Sequence, residues 1–421
     1  MDYLLPSTYQ TNNTTKKIRI DSARLVKPLY EENSPPTMST IPLSVFDEVT
    51  YDIQVSLVFA YYQPAPPNIA LEIGLRRALA LCRSWAGRLG QNDVGHPVLL
   101  LNDEGVGFIE AYANCTLHEA LPFNSSSGVS LEYVHPRSSG VSQLAQIQLT
   151  RFTCGSLVIG LTHHHLVGDG PSMCKFMLSW CQASRGVQIS PTPLLFNNSL
   201  FTPRVPPLFE FDHGGVEYMS RENQQAYSHD DPIAKDVVFQ KIHFSKDFLS
   251  NLKSIATMKQ NFSTFEVLLA HLWRALTKAR GLDENETTQV RISVDGRVRM
   301  NPKVPHYFGN LMLWAFPTSN VKQLLNNSLS QVAQLIHEEV AKVNDNYFKS
   351  FIDFSKHKVE EEDLVPTAAA EKPVLSPVEG LIFLLPSLSG DGSIDAFVGL
   401  FKKNVGLFTK SCYSIPISSS L

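Results

Sequence analysis

No stretch of this sequence is long and apolar enough to cross a bilayer. LIFLL at 381–385 is among its longest apolar runs, against the roughly 20 residues that a spanning helix needs. The opening MDYLLPSTYQTNNTTKK has no basic segment followed by an apolar one, so it does not read as a signal peptide. Asn114-Cys-Thr and Asn261-Phe-Ser are then chance matches to the glycosylation signal. The six cysteines (82, 115, 154, 174, 181 and 412) include no C-x-x-C pair, which removes the usual zinc and dithiol spacings. Cys174 and Cys181 stand seven apart, on one helix face, and are expected to be buried free thiols. Excess charge of either sign is also lacking. The net charge of −4 offers no basic patch for nucleic acid or an anionic membrane. These absences leave a cytoplasmic, monomer-sized enzyme or binding protein, with no nucleic-acid or membrane partner.

What is present suits an ordinary globular chain. Its 421 residues are 43% hydrophobic and 18% charged, enough for two cores. Residues 1–17 read as a disordered tail. IRIDSARLVKP and VSLVFAYY read as strands, and Pro64-Ala-Pro-Pro breaks the chain before an amphipathic helix. That helix places Leu71, Leu75, Ala78, Leu79, Cys82 and Trp85 on one face, with Gly90 positioned to cap it. HPVLLLN and VGFIEAY read as one pair of strands, LAQIQLTRF and SLVIGLTH as another. A second helix follows, with Met173, Phe176, Met177, Trp180 and Cys181 inward, stopped at Gly186.

The proline-rich, aperiodic stretch 187–235 reads as a crossover linker between an N-terminal domain, 18–186, and a C-terminal domain, 236–421. Beyond it, HFSKDFLSNLKSIA and STFEVLLAHLWRALTKARG read as helices. The latter has Ser263 and Glu266 in capping-box spacing and Phe265, Leu268, Leu272 and Trp273 inward. QVRISVD alternates like a strand, and 321–343 reads as one long helix. The result is an α/β chain with mixed strands and helices in two halves.

The residues with the clearest chemistry lie in THHHLVGDG, 162–170, at the turn from a strand into the second helix. A rigid strand end that exposes an imidazole suits a general base. Period-two alternation puts His163 and His165 on one face and His164 on the other, with His163 sharing the cleft and His164 pointing inward. His163 and His165 have the spacing of two metal ligands but lack a third, so no metal is expected. In the plainest alternative, Asp169 or Gly170 caps the helix, Pro171 opens it and the histidines are incidental.

His165-Leu-Val-Gly-Asp169-Gly170 resembles the HxxxD(G) motif of the plant BAHD acyl-CoA-dependent acyltransferases. IPLSVFDEVTYDIQVSLVFAYY, LEIGLRRALALCRSWAGRLG and VDGRVRMNPKVPHYFGN resemble further blocks of that family, in order and spacing. TRFTCGSLVIGLTHHHLVGDG, VNDNYFKSFIDF and LLPSLSGDGSIDAF resemble its grass branch of amine N-hydroxycinnamoyltransferases, which includes agmatine coumaroyltransferases and tryptamine acyltransferases.

The resemblance implies a two-domain chloramphenicol acetyltransferase-like fold with the active-site channel between the domains. It implies transfer of a hydroxycinnamoyl or benzoyl group from an acyl-CoA co-substrate to an amine such as agmatine or tryptamine. His165 would be the general base, and no acyl-enzyme or permanently bound cofactor is implied. Asp169 would brace the loop through an arginine, Arg297 or else Arg299. Lys253, Ser263 and Thr264 would lie near the phosphates of coenzyme A. Phe46 and Trp314 are candidates for the acyl tunnel. Asp353 or the acidic run 360–363 would meet a cationic acceptor. O-acyl transfer to an alcohol, and an impaired variant that only binds ligand, are the alternatives.

One family block is missing. Asp-Phe occurs at 247–248 and 353–354, in neither case followed by glycine, so the DFGWG segment has no counterpart. VLSP (374–377) runs directly into VEGLIFLLPS (378–387). The resemblance therefore implies a C-terminal domain shortened at 377/378.

Overall fold

The computed structural model describes residues 18–30, 35–121, 123, 127, 129–137, 140–190, 198–226, 236–256, 261–359, 361–370 and 379–414. The 377/378 junction and the 1–17 tail lie outside these residues.

The first half is built on a five-stranded mixed sheet in the order Ile18–Val26, Val106–Ala113, Ala145–Phe152, Leu157–His164, Gln54–Tyr61. Its second and third strands are parallel and the other neighbours antiparallel. Helices Asn68–Leu81 and Gly170–Ser184 cover one face. Gly74 allows their close crossing, because a Cβ there would stand 2.1 Å from the Ser184 hydroxyl. Trp180 ties the pair together, its Nε1 donating to the Leu71 carbonyl at 2.7 Å.

Leu157, Ile159 and Leu161 enter the core under these helices, whereas Val158 joins a separate cluster on the opposite face. The strand is thus buried on both sides, and its odd-numbered positions point toward the helices.

Several local expectations are corrected here. Cys174 and Cys181 are free but exposed. The first helix ends at Leu81, Trp85 lies in the following 3-10 turn Arg83–Ala86, and Gly90 belongs to the strand Arg88–Gln91. Pro97–Leu101 and Val106–Ala113 do not pair with each other. The former joins Ser39–Pro42 and Arg88–Gln91 in a small sheet. The connection 102–105, with Asp103 and Gly105 at positive φ, carries the chain between the two sheets instead of closing a hairpin.

The second half packs helices Lys246–Ala256, Thr264–Arg280, Leu329–Lys342 and Asp345–His357 around a larger core. A three-stranded sheet, in the order Val237–Phe244, Ile394–Phe401, Ile382–Pro386, flanks it. Ser263 caps its helix in a reciprocal box with Glu266. Phe265 is 43% exposed, because Phe262, just ahead of the cap, takes the core position in the same cluster as Val267. Residues 321–343 form two helices, since Ser328 starts a new capping box with Gln331.

The described part of 187–235 is packed against the second half. Phe201 and Tyr218 belong to the larger core, and Tyr218–Ser220 pairs with Leu364–Pro366. His213 sits fully buried between Glu217 (3.0 Å) and the Ser350 hydroxyl (3.2 Å). The short helix Val45–Glu48 crosses the other way, burying Phe46 among residues of the second half.

Candidate active site

Strand parity sets the three histidines apart. His163 continues the odd series into the core and stacks on Trp85, with centroids 5.0 Å apart and planes 8° off parallel. Burial, reinforced by the neighbouring His165, pulls its pKa down to about 4. His164 was expected to point inward, but it faces the opposite way. Its Nε2 meets exposed Asp52 at 3.2 Å, and it borders a side cavity of about 360 Å³ lined also by Arg88, Glu104 and Leu144. His165 lies just past the strand end, where its backbone N–H donates to Ile53 at 2.8 Å. Burial lowers its pKa, while its own carbonyl, Asp169 and Asn310 act in the opposite direction. A neutral imidazole at ordinary pH is the consequence.

Asp169 fills both roles weighed for it. It caps Gly170–Ser184, its Oδ1 accepting from the Ser172 N–H at 3.0 Å. Arg297 meets the same carboxylate with both terminal nitrogens, each at 2.9 Å, and the Leu311 N–H completes the shell at 3.0 Å. Two donors thus reach each oxygen, and the buried carboxylate is consumed by the scaffold.

Arg297 is itself 1% exposed and satisfied all round. It donates to the carbonyls of Tyr307 and Gly309, to Asp295 and to the Ser172 hydroxyl. Burial pulls its pKa down, but Asp169 and Asp295 more than offset this and leave it raised. The pair fastens the loop of the first half to the strand end Ile292–Asp295 of the second. Arg299 is half-buried two residues on, outside this shell.

Two side chains without an assigned role complete the loop. Asn310 donates through Nδ2 to the His165 carbonyl at 2.9 Å and to Asp47 Oδ1 at 2.8 Å. Asp47, fully buried in Val45–Glu48, accepts from the Ser44 N–H and hydroxyl through its other oxygen. Burial raises its pKa to about 6 against these hydrogen bonds. Both residues lie within quoted blocks of the sequence, LSVFD and YFGN, but 263 positions separate them. Local spacing carries no signal of the contact.

The remaining candidates scatter. Phe46 is a core residue: its ring packs on Phe201 and Phe351 at 4.9 and 5.1 Å, so it cannot line a tunnel. Trp314 is half-buried, and the Arg291 guanidinium covers its ring at 4.2 Å. Asp353 is corrected too. Its buried carboxylate accepts from the Arg204 N–H (2.7 Å), Arg204 Nε (2.6 Å) and the Leu208 N–H (2.9 Å), so it holds the 204–208 segment and faces no cleft. In the acidic run, Glu361, Glu362 and Asp363 are exposed and pair with Lys358 or Arg221. Lys253 stands in the last turn of its helix. Ser263 commits its hydroxyl to Glu266, and Thr264 is the first helical residue after it.

A family profile described as the Transferase family matches residues 16–377. The chain belongs to the BAHD acyltransferase family. The profile's match ends at the residue where VLSP meets VEGL. Agmatine hydroxycinnamoyltransferase 1 of Oryza sativa subsp. japonica is 41% identical over 445 residues, covering 95% of this chain and 99% of that protein. Agmatine coumaroyltransferase-1 of Hordeum vulgare is 42% identical over 443 residues, covering 95% and 100%. Tryptamine benzoyltransferase 1 of Oryza sativa subsp. japonica is 34% identical, covering 94% and 98%. An alignment of 445 positions exceeds the 421 residues of this chain, so that relative carries residues with no counterpart here.

Two solved structures share the fold. Vinorine synthase superposes with a TM-score of 0.68 at 16% identity, covering 93% of this chain and 96% of that one. F. graminearum TRI101 complexed with coenzyme A and deoxynivalenol gives 0.70 at 16%, covering 87% and 96%. The two-domain chloramphenicol acetyltransferase-like architecture follows, and BAHD enzymes take acyl-CoA as co-substrate. The chain is an acyl-CoA-dependent N-acyltransferase by family and relatives.

Proposed function

We propose that this chain, as a cytoplasmic monomer, transfers a hydroxycinnamoyl or benzoyl group from its CoA thioester to an amine such as agmatine or tryptamine. The catalytic base is His165. The observation that carries this reading is the division of labour in the loop. Every oxygen of Asp169 is occupied by the scaffold, whereas burial keeps the neighbouring His165 imidazole neutral and able to accept a proton.

An amine is mostly protonated near neutral pH, so the small neutral fraction must attack. As nitrogen bonds to the thioester carbon, Nε2 takes the proton that would otherwise leave a charged intermediate. When the tetrahedral adduct collapses, the C–S bond breaks and the imidazolium returns a proton to the departing CoA sulfur. The base ends neutral, and no covalent acyl-enzyme forms. Holding both substrates against one imidazole supplies the orientation that solution lacks. Lys253, Ser263 and Thr264 are our candidates for CoA contacts, with Trp314 beside the acyl group.

The test mixes the chain with p-coumaroyl-CoA or benzoyl-CoA and a panel of agmatine, putrescine, tryptamine and matched alcohols, reading thiol release. Amines are expected to support release and alcohols not, with His165→Ala losing about three orders of magnitude or more, within the range of general-base contributions. Release with alcohols alone would move the assignment to O-acyl transfer. Thermal stabilisation by acyl-CoA without turnover would mark a binding protein.

A further inference from the structure

The side cavity beside His164 plays no part in the chemistry assigned to His165. At about 360 Å³ it falls within the roughly 300–1,000 Å³ of small-molecule pockets. It lies on the other face of the strand: the rings of His163 and His165 are 6.4 Å apart, whereas His164 faces the opposite way and borders the cavity. Leu89 and Leu144 supply apolar wall.

The charges around it do not cancel. Arg88 is spent on the scaffold, with Nη1 donating to the carbonyls of Gly87 (2.7 Å) and Gly105 (2.8 Å) and Nε 3.0 Å from Glu104. That ion pair is neutral overall. Burial lowers the pKa of His164, with Asp52 acting in the opposite direction, and its Nδ1 already accepts from the Leu166 N–H at 3.4 Å. A neutral His164 leaves the carboxylate of Asp52, 3.2 Å from its Nε2 and 80% exposed, with no cation beside it among the described residues.

A second acceptor stands close by. Gln54 is opposite His164 in the strand register. Its Nε2 donates at 3.3 Å to the carbonyl of Gln143, a residue of the cavity wall, which makes Oε1 the other end of the amide. That oxygen is buried with no hydrogen-bond partner among the described residues. An uncompensated carboxylate, an unmet amide oxygen and an apolar wall suit one class of ligand. It carries a positive charge, several N–H donors and a short alkyl chain.

We propose that this cavity binds a small alkylguanidinium or alkylammonium ion, with Asp52 as its charged partner, at a site separate from the base. The two sites are neighbours through the backbone, because Ile53, between Asp52 and Gln54, accepts the His165 N–H at 2.8 Å. The inference does not depend on His165 being the base.

Butylguanidine is the probe, since it carries the charge and the alkyl chain but no primary amine to be acylated. Butylurea is its neutral counterpart of the same shape. Isothermal titration of the full chain should show binding of butylguanidine, with butylurea severalfold weaker. Asp52→Asn should weaken butylguanidine by about fivefold, the scale of a partly exposed ion pair, and leave the melting temperature unchanged. Ser142→Trp, at an exposed position of another wall segment, puts a ring into the cavity and should weaken binding as well. Asp93→Asn, an exposed carboxylate outside the cavity lining, controls for general attraction and should bind like the wild type, as should His165→Ala.

No binding in the millimolar range overturns the proposal. So does equal affinity in Asp52→Asn, an equal loss in Asp93→Asn, or an unaffected Ser142→Trp, each of which reads as loose attraction to the surface. Loss of binding in His165→Ala moves the ligand to the reaction site and overturns it too. Absence of acyl transfer to every amine, with butylguanidine still bound, defeats the functional reading and leaves this site standing.

Discussion

His163 on the strand that leads to His165 and Asp47 on the helix Val45–Glu48 both have displaced pKa values, with opposite consequences for stability. His163 is held neutral in the folded chain down to about pH 4, whereas an unfolded histidine protonates near 6.5. Between those values the unfolded state binds more protons, so stability falls as pH drops through this window. The full effect is on the order of 3 kcal/mol at about 1.4 kcal/mol per pH unit. Asp47 acts oppositely. Its folded pKa of about 6 lies above its ordinary 3.8, so the folded state binds the extra proton and stability falls as pH rises from 3.8 to 6. His163→Phe retains the stack on Trp85 and removes the titration. Its urea midpoint should lose less between pH 7.5 and 5 than that of the wild type. Equal losses in both proteins would place the acid sensitivity elsewhere.

At the scale of elements, the helix Asp345–His357 does structural work where a substrate contact was expected. Its buried Asp353 accepts three hydrogen bonds from Arg204 and Leu208, and its Ser350 hydroxyl accepts from the backbone of Glu210 and Phe211. One helix face thus anchors a proline-rich segment that has no periodicity of its own. Asp353→Ala leaves the part-buried N–H groups of Arg204 and Leu208 without these acceptors and should destabilise the fold by about 1–3 kcal/mol, the cost of leaving hydrogen-bonding groups unmet. Denaturant unfolding measures this directly, and KM for agmatine in the folded fraction should not move. A selective rise in that KM would restore Asp353 to the acceptor site. In the sequence VNDNYFKSFIDF stands out only as a block of the family resemblance, and its purpose is hidden there, because an inward aspartate reads the same whether it meets a ligand or a backbone.

For the whole molecule, the edge strand Ile382–Pro386 bears on association. Among the described residues it is outermost in its sheet, it carries no charged residue, and it exposes Phe383 at 49% and Leu385 at 51%. Phe239 lies beside Phe383 at 6.1 Å and is exposed too. Uncovered apolar edges of this kind promote association between chains. The double substitution Phe383→Lys, Leu385→Lys should suppress concentration-dependent light scattering without lowering the melting temperature. Undiminished scattering would acquit this edge.

The strand follows the place where the DFGWG segment is missing from the sequence. The absence was readable from the residues, whereas the exposed edge beside it became visible only in the sheet. The same division holds for the site. By itself, the sequence determined the strand-to-helix turn, the residue that caps it and the HxxxD spacing, because those depend on neighbours within a few positions. Tertiary structure decided which histidine enters the core, what Asp353 and Phe46 touch, and the meeting of Asp47 with Asn310. Those outcomes are packing choices between segments from 78 to 263 or more residues apart, and no local pattern encodes them.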